Sequence, residues 1–598
     1  MKTNEIKRIA QKARRQLIQA VGTRLEHVLS TDKSAWREKE KAIEDLNAHI
    51  RSSSKEYVIE KVAYTWFNRF CALRYMDVHG YNRIQVVSPL SGHTQPEILL
   101  EAKQGHIEEK LLRPEDQKRL LGLLSGTISS PNGQAEAYQM LLVATCNTYN
   151  STMPFMFERI QDYSELLMPS DLLSEDSILN TIREAMDEEN ASDIEIIGWL
   201  YQYYISEKKD EVFASLKKNI KITAENIPSA TQLFTPHWIV RYMVENSLGR
   251  LWMLNHPESN LKQKMDYYIE PTEPETDYLK IVSPEEIKIC DPACGSGHIL
   301  VYAFDLIYAI YEEAGYSPSE IPGHILQKNL FGIEIDPRAG ALSAFALFMK
   351  AVEKQKQILK KPIQPNICIL ENVIFEDDEL AEYIKAVGLN LFTAELNTLL
   401  HQFTQVDYVG SLIQPVAVDF AMLRKELDSK DLESHLFLSR THERVLKVLD
   451  QAEYLSQRYH VVVANPPYMG GKGMPDALKA YAEKNYPNSK SDLFAMFIER
   501  NLELSKPNGM VAMITMQSWM FLSSFEGLRD RILDYSTILS MAHLGARAFD
   551  SIGGEVVQTT AFVIKNSHQL SYKGIYLRLV DGSTEAEKAE MLLRTIKK

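Results

Sequence analysis

Asn465-Pro466-Pro467-Tyr468 follows the apolar run Val461-Val462-Val463-Ala464 without a spacer. A β-branched run that stops at a polar-proline turn reads as a buried strand delivering a stiff loop to its end. These residue types suit a poor nucleophile, an amino nitrogen whose lone pair is conjugated into a ring or a carbonyl. The Asn465 side-chain oxygen and the Pro466 carbonyl could accept its two N–H hydrogens and turn the lone pair toward an incoming methyl group. Pro466 and Pro467 stiffen the backbone that aims this carbonyl. Tyr468 offers a flat face for a base taken out of its stack. An ordinary strand-terminating turn can hold the same four residues, so the rest of the chain has to decide.

A second constellation lies upstream. Ile287-Lys288-Ile289-Cys290 reads as a strand, Asp291-Pro292-Ala293-Cys294-Gly295-Ser296-Gly297-His298 as a glycine turn, and Ile299 to about Ala314 as a helix. This order is that of nucleotide-binding folds. It is neither Gly-x-Gly-x-x-Gly nor a Walker loop, which removes phosphate cradling. Gly295 and Gly297 let a ligand approach the backbone, and Asp291 could accept hydrogen bonds from a cationic amine. The next strand, Leu330 to Asp336, carries Glu334 where a doubly wound sheet grips both ribose hydroxyls. Ile335 could lie against an adenine ring, and Asp336 caps the helix begun by Pro337. A third strand, Asn366 to Leu370, ends at Glu371-Asn372, either of which could meet a cofactor's amino group.

Positioning elements follow from pattern. Thr235 is the expected N-cap of a helix with Pro236 at its first position. Asp492 opens an amphipathic helix in which Phe494 and Phe497 share a face, with core packing as their default. Met469 to Gly473 is a glycine-rich loop after Tyr468. Lys506 to Gly509 is a turn before the buried run Met510 to Thr515, and strand-like runs surround Val556-Val557 and Thr560 to Ile564. The first 225 residues read as mostly helical, with an aromatic core helix from Tyr57 to Tyr75 and a short strand at Ile84 to Val87. Glu101-Ala102-Lys103 matches the Glu-x-Lys of nuclease metal sites, but a short surface helix is the commoner context and Asp77, the upstream acid, sits at a helix end.

The chain has 598 residues, 45% hydrophobic and 24% charged, which implies two to four globular domains. No apolar run reaches membrane-spanning length. Five cysteines without paired metal spacing fit a reduced, cytoplasmic protein. The formal net charge of −14 argues against coating nucleic acid non-specifically, though not against a local cleft for it.

Thr-Pro-helix, Asp-Pro-Ala-Cys-Gly-Ser-Gly, Gly-Ile-Glu-Ile-Asp, Asn-Pro-Pro-Tyr, Asp-Leu-Phe…Lys-Pro-Asn-Gly and the Phe549 block occur in one order. That order, over about 230 to 565, resembles the γ-class amino methyltransferases of type I and type IIG restriction–modification systems. The N-terminal runs Phe67-Asn68-Arg69-Phe70 and Arg74 to Asn82 are similar to the PglX-type adenine methyltransferases of BREX phage defence. The resemblance implies an α/β, Rossmann-like S-adenosylmethionine-dependent fold at 226–566, with a helical insertion at about 376–455. A helical N-terminal domain (1–225) would precede it, and 567–598 would lead toward a target-recognition domain expected to be absent from this chain.

By the same resemblance Thr235, Asp291, Ala293, Gly295, Gly297, Glu334, Ile335, Asn372 and Phe497 surround S-adenosylmethionine. Asn465, Pro466, Pro467 and Tyr468 hold a flipped adenine, with Phe549 on its other side. The implied partners are double-stranded DNA and other BREX defence proteins, with no membrane, no metal and a monomeric chain. Three alternatives stay open: a glutamine-amide methyltransferase, a bifunctional restriction–modification enzyme using Glu101 and Lys103, and a cofactor-sensing binding module.

Overall fold

The computed structural model describes residues 3–31, 39–160, 163–218, 220–388, 393–430, 436–549 and 557–597. The run at Val556 lies outside them. Two compact units emerge, one of residues 1–208 with 344–364, the other of 209–343 with 365–598.

The first unit is helical. Its central helix, Lys55–Val78, starts at Ser54, whose side chain accepts the Tyr57 N–H, and buries Trp66, Phe67 and Phe70. Ile84 to Val87 is no strand. Asp77, buried at the end of that helix, takes the amides of Val86 and Val87, each at 2.9 Å, together with Asn82 Nδ2 and the Ser88 hydroxyl. With its amides so taken, a β-branched run has nothing left to offer a ladder. Glu101 and Lys103 lie on the short helix Glu97–Lys103. Glu101 meets His106, and Lys103 donates to Gln95 and Gln134.

The second unit is built on one sheet: β1 (Ile289–Asp291), β2 (Leu330–Glu334), β3 (Asn366–Ile369), β4 (Tyr459–Ala464), β5 (Ser505–Met516), β6 (Thr537–Gly545), β7 (Thr559–Lys565) and β8 (Ile575–Arg578). Their order is β3-β2-β1-β4-β5-β7-β6-β8. The first five positions pair in parallel, β7 runs antiparallel to both β5 and β6, and β8 pairs in parallel with β6. β4 is buried at every residue, as a strand covered by helices on both faces must be. The turn expected at 506–509 is taken up inside β5, with Asn508 at φ 62°. The polar 255–284 segment is held by buried side chains. Asn246 clips Tyr267 and Ile269, and Arg250 pairs with Glu275. No helix among the described residues is long and apolar enough to cross a membrane.

Candidate active site

The strand order reverses between β1 and β4, so their carboxyl ends open side by side. Such a switch point leaves a crevice because the connections depart in opposite directions. Asp291 ends β1, and Asn465 follows the last residue of β4.

Asn465 is held in one orientation. Its Nδ2 donates to the Leu233 carbonyl and to the Thr235 hydroxyl, both at 3.0 Å. Both amide hydrogens are thereby used, and the oxygen Oδ1 is the atom left to accept. The Tyr468 hydroxyl shares one proton between that oxygen (2.9 Å) and the Ile514 carbonyl of β5 (3.2 Å). The Tyr468 ring meets Phe494 edge-on at 6.1 Å. Just beyond, the Met469 amide donates to Asp492 Oδ1 at 2.9 Å and its carbonyl accepts the Leu493 amide. The glycine-rich loop is therefore pinned at its start. Burial pushes Asp492 up to about 6.

Thr235 does not cap the following helix. That helix, His237–Val244, has Pro236 at the N-cap position and no side-chain cap bond. The hydroxyl is instead spent on Asn465, and Phe234 beside it stacks on His298 with ring centroids 4.0 Å apart. His298 begins the helix after the glycine turn, so the segment that orients Asn465 packs on that turn.

In the turn, Asp291 Oδ1 accepts the Ala293 amide at 3.1 Å, and the carboxyl is fully buried. Burial, opposed by the Ala293 amide and reinforced by the Glu334 charge, holds it up at about 8. Glu334 is pushed to about 7, mainly by burial. Its Oε1 accepts the amides of Ile335 and Asp336, and its Oε2 that of Gly295 at 2.7 Å. A carboxylate offers about four lone-pair positions, so one on Oε2 stays open to a hydroxyl. Gly297 has φ 86°, and a Cβ there would meet Ser343 Oγ at 2.6 Å. Gly295 has φ 54°, with nothing within 4 Å of an added Cβ. Asp336 accepts the Arg338 amide, the helix-starting bond expected of it.

Four further positions are placed as follows. Ile335 is half-buried against the insertion, where a Cβ on Gly410 would come within 2.9 Å of it. Asn372 is exposed, and its Oδ1 accepts the Asp407 amide, closing the loop after β3. Phe497 is buried in the core cluster on helix Leu493–Leu504. Phe549 is 3% exposed on the segment after β6.

A family model described as an Eco57I restriction-modification methylase matches residues 328–549, and one described as an N-6 DNA methylase matches 251–363. The chain is 43% identical over 587 residues to the adenine-specific methyltransferase BrxX of Escherichia coli O9:H4 (strain HS), across 92% of this chain and 48% of that protein. It is a homologue of that methyltransferase. It is also 37% identical over 566 residues to the adenine-specific methyltransferase PglX of Lacticaseibacillus casei (strain Zhang), across 90% of this chain and 46% of that one. The chain spans about half the length of these curated relatives. Its likeness to solved structures is weaker, for example 12% identity and a TM-score of 0.40 with the Type IIL restriction-modification enzyme MmeI in complex with DNA, over 86% of this chain and 59% of that one.

Two contributors to this site carried no signal of their own. Leu233 acts through its backbone carbonyl. Ser411, inside the polar insertion, donates to the Pro292 carbonyl at 2.5 Å, and Arg500 holds the Ser411 carbonyl in turn. The insertion thus forms one wall of the Asp291 turn.

Proposed function

We propose that this chain transfers a methyl group from S-adenosylmethionine to the exocyclic N6 of adenine in double-stranded DNA, after the base has left its stack, as part of a BREX-type phage-defence system. The observation that carries this reading is the fixed amide of Asn465, whose Nδ2 is occupied and whose Oδ1 opens at the strand-order reversal. The names of the two homologues support adenine as the acceptor.

The residues present suit the cofactor. Two buried carboxyls with raised pKa values favour a ligand that brings a positive charge and hydroxyl donors. Asp291 would receive the cationic amine, and the open position on Glu334 a ribose hydroxyl. The space beside Gly295 would admit the ligand's body. When bound, the cofactor supplies an activated methyl group on a sulfonium.

The chain's own part is orientation and electrostatics. Asn465 Oδ1 and the Pro466 carbonyl accept the two amine hydrogens, and Pro467 keeps the turn stiff. Tyr468 and Phe549 lie on opposite faces of the base. When the amine arrives, the Tyr468 proton turns wholly to the Ile514 carbonyl and releases Asn465 Oδ1. The methyl group would pass from the sulfonium to the amine nitrogen that these acceptors hold, and the nitrogen would lose one proton to solvent, since neither acceptor is a base. On this reading 226–566 is the catalytic domain, and Ala293, Gly297, Ile335, Asn372 and Phe497 shape the cofactor's surroundings from behind. The methyl mark would label the host's own DNA.

The full gene product, incubated with methyl-labelled S-adenosylmethionine and either genomic DNA or a protein lysate, tests this. Label is expected in N6-methyldeoxyadenosine after digestion of the DNA. Label in protein glutamine alone would replace this reading with amide methylation.

A further inference from the structure

Two large apolar side chains stand in solvent close to the base platform. Phe521 is 61% exposed and Leu522 53%, on the segment between β5 and helix Glu526–Tyr535. The segment is held firmly. Arg529 Nη1 donates to the carbonyls of Trp519 (2.8 Å) and Leu522 (2.7 Å). Trp519 is buried, bonded to the Thr515 hydroxyl at 3.1 Å and packed on Phe562. Phe521 keeps one ring contact, with His543 at 6.0 Å, but side chains exposed to this extent contribute little to the fold, which points to a use outside it.

Both ends of this tip connect to Tyr468. On one side, β5 offers the Ile514 carbonyl to the Tyr468 hydroxyl at 3.2 Å. On the other, Phe525 packs on Phe494 at 5.8 Å, and Phe494 is the ring met edge-on by Tyr468. The tip and the platform therefore share one scaffold at the carboxyl ends of β4 and β5. Two side chains followed by Ser523 and Ser524 are far smaller than the roughly 800 Å² per partner of a stable protein interface. They match the apolar wedges that proteins insert between base steps.

We propose that Phe521 and Leu522 form a wedge that enters the DNA stack and fills the gap left by the extruded adenine. The inference rests on the base-flipping reading above. The wedge offsets the unpairing and unstacking that extrusion costs, so it matters most for a paired target and least for one that is already loose.

The test uses the full gene product and two duplexes carrying the sequence found methylated in cells. In one the target adenine pairs with thymine, and in the other it faces an abasic position. The wild type is expected to methylate both. The Phe521→Ser, Leu522→Ser variant is expected to slow on the paired duplex by about tenfold or more and on the abasic duplex by no more than about twofold, because only the paired target must break a base pair as well as leave the stack. Leu570→Ser, at a leucine 94% exposed, serves as control and is expected to change neither rate. Equal loss on both duplexes, or no loss on either, would overturn the wedge and point to a protein contact or an idle surface. Wild-type activity on neither duplex would remove the methylation reading, and the wedge with it.

Discussion

The Asn465 amide donates to the Thr235 hydroxyl at 3.0 Å across 230 residues of sequence. Local pattern assigns Thr235 to a helix start, whereas the folded chain spends it on fixing which atom of Asn465 faces the crevice. The distinction has a kinetic consequence. Thr235→Val leaves Asn465 with only the Leu233 carbonyl, so turnover is expected to fall by about five- to tenfold, the worth of one ordinary hydrogen bond of about 1 kcal/mol. Cofactor affinity should change little, and Thr235→Ser should restore turnover. A large rise in the cofactor Kd with unchanged turnover would show instead that Thr235 serves the cofactor.

Tyr468 separates ring from hydroxyl. Tyr468→Phe keeps the stacking face and deletes a proton shared between Asn465 Oδ1 and the Ile514 carbonyl. Turnover is expected to stay within about fivefold, with a stability loss of about 1 kcal/mol read from thermal unfolding. Tyr468→Ala removes a stacking contribution of about 1–3 kcal/mol and should cost turnover accordingly. Equal losses in the two variants would contradict a platform role.

The two glycines of the turn are expected to fail differently. Gly297→Ala drives a Cβ to 2.6 Å from Ser343 Oγ and 3.0 Å from its Cα at φ 86°, so it should destabilise the fold by about 2–3 kcal/mol. Gly295→Ala meets open space and costs only the left-handed backbone, about 1 kcal/mol. It should nonetheless weaken cofactor binding, because the open space is where the ligand would lie. Denaturant titration beside calorimetry separates these effects, and intact binding by Gly295→Ala would move the cofactor elsewhere.

Asp291 at about 8 and Glu334 at about 7 set a pH dependence. Both are raised, so in the empty protein they favour the fold below their unfolded values of 3.8 and 4.5, and that contribution is lost as pH rises through about 7 to 8. Ligand binding runs the other way, since the ionised carboxylates grip an amine and a hydroxyl best. Affinity for S-adenosylmethionine should rise with pH up to about 8, by at most about tenfold per unit for each proton released, and stop rising where an α-amine of pKa near 8 discharges. Calorimetry across that range should show Asp291→Asn flattening the slope by one proton. A flat wild-type profile would mean that neither carboxyl meets the ligand.

Much of the parallel half of the sheet was legible because each strand is an apolar run that stops at a polar loop, as at Val461 to Asn465 and Ile287 to Asp291. What misled or escaped were residues whose decisive partners are distant or nearby but non-local in pattern. Ile84 to Val87 has strand composition, but Asp77 claims its amides. Thr235 before a proline reads as a cap, and only tertiary packing brings Asn465 to it. β6, Thr537–Gly545, mixes polar and small residues and shows no clean alternation. Ser411 lies among the apolar residues Val409, Leu412 and Ile413, and nothing local shows that it folds back on Pro292.

The central claim, that Asn465 holds the adenine amine during transfer, is tested most directly by methylation-sensitive long-read sequencing of DNA from cells carrying the full gene or its Asn465→Ala version. Methylated adenine at one recurring sequence is expected with the wild-type gene and is expected to vanish with the variant. Adenine methylation that persists unchanged in the variant would contradict the account.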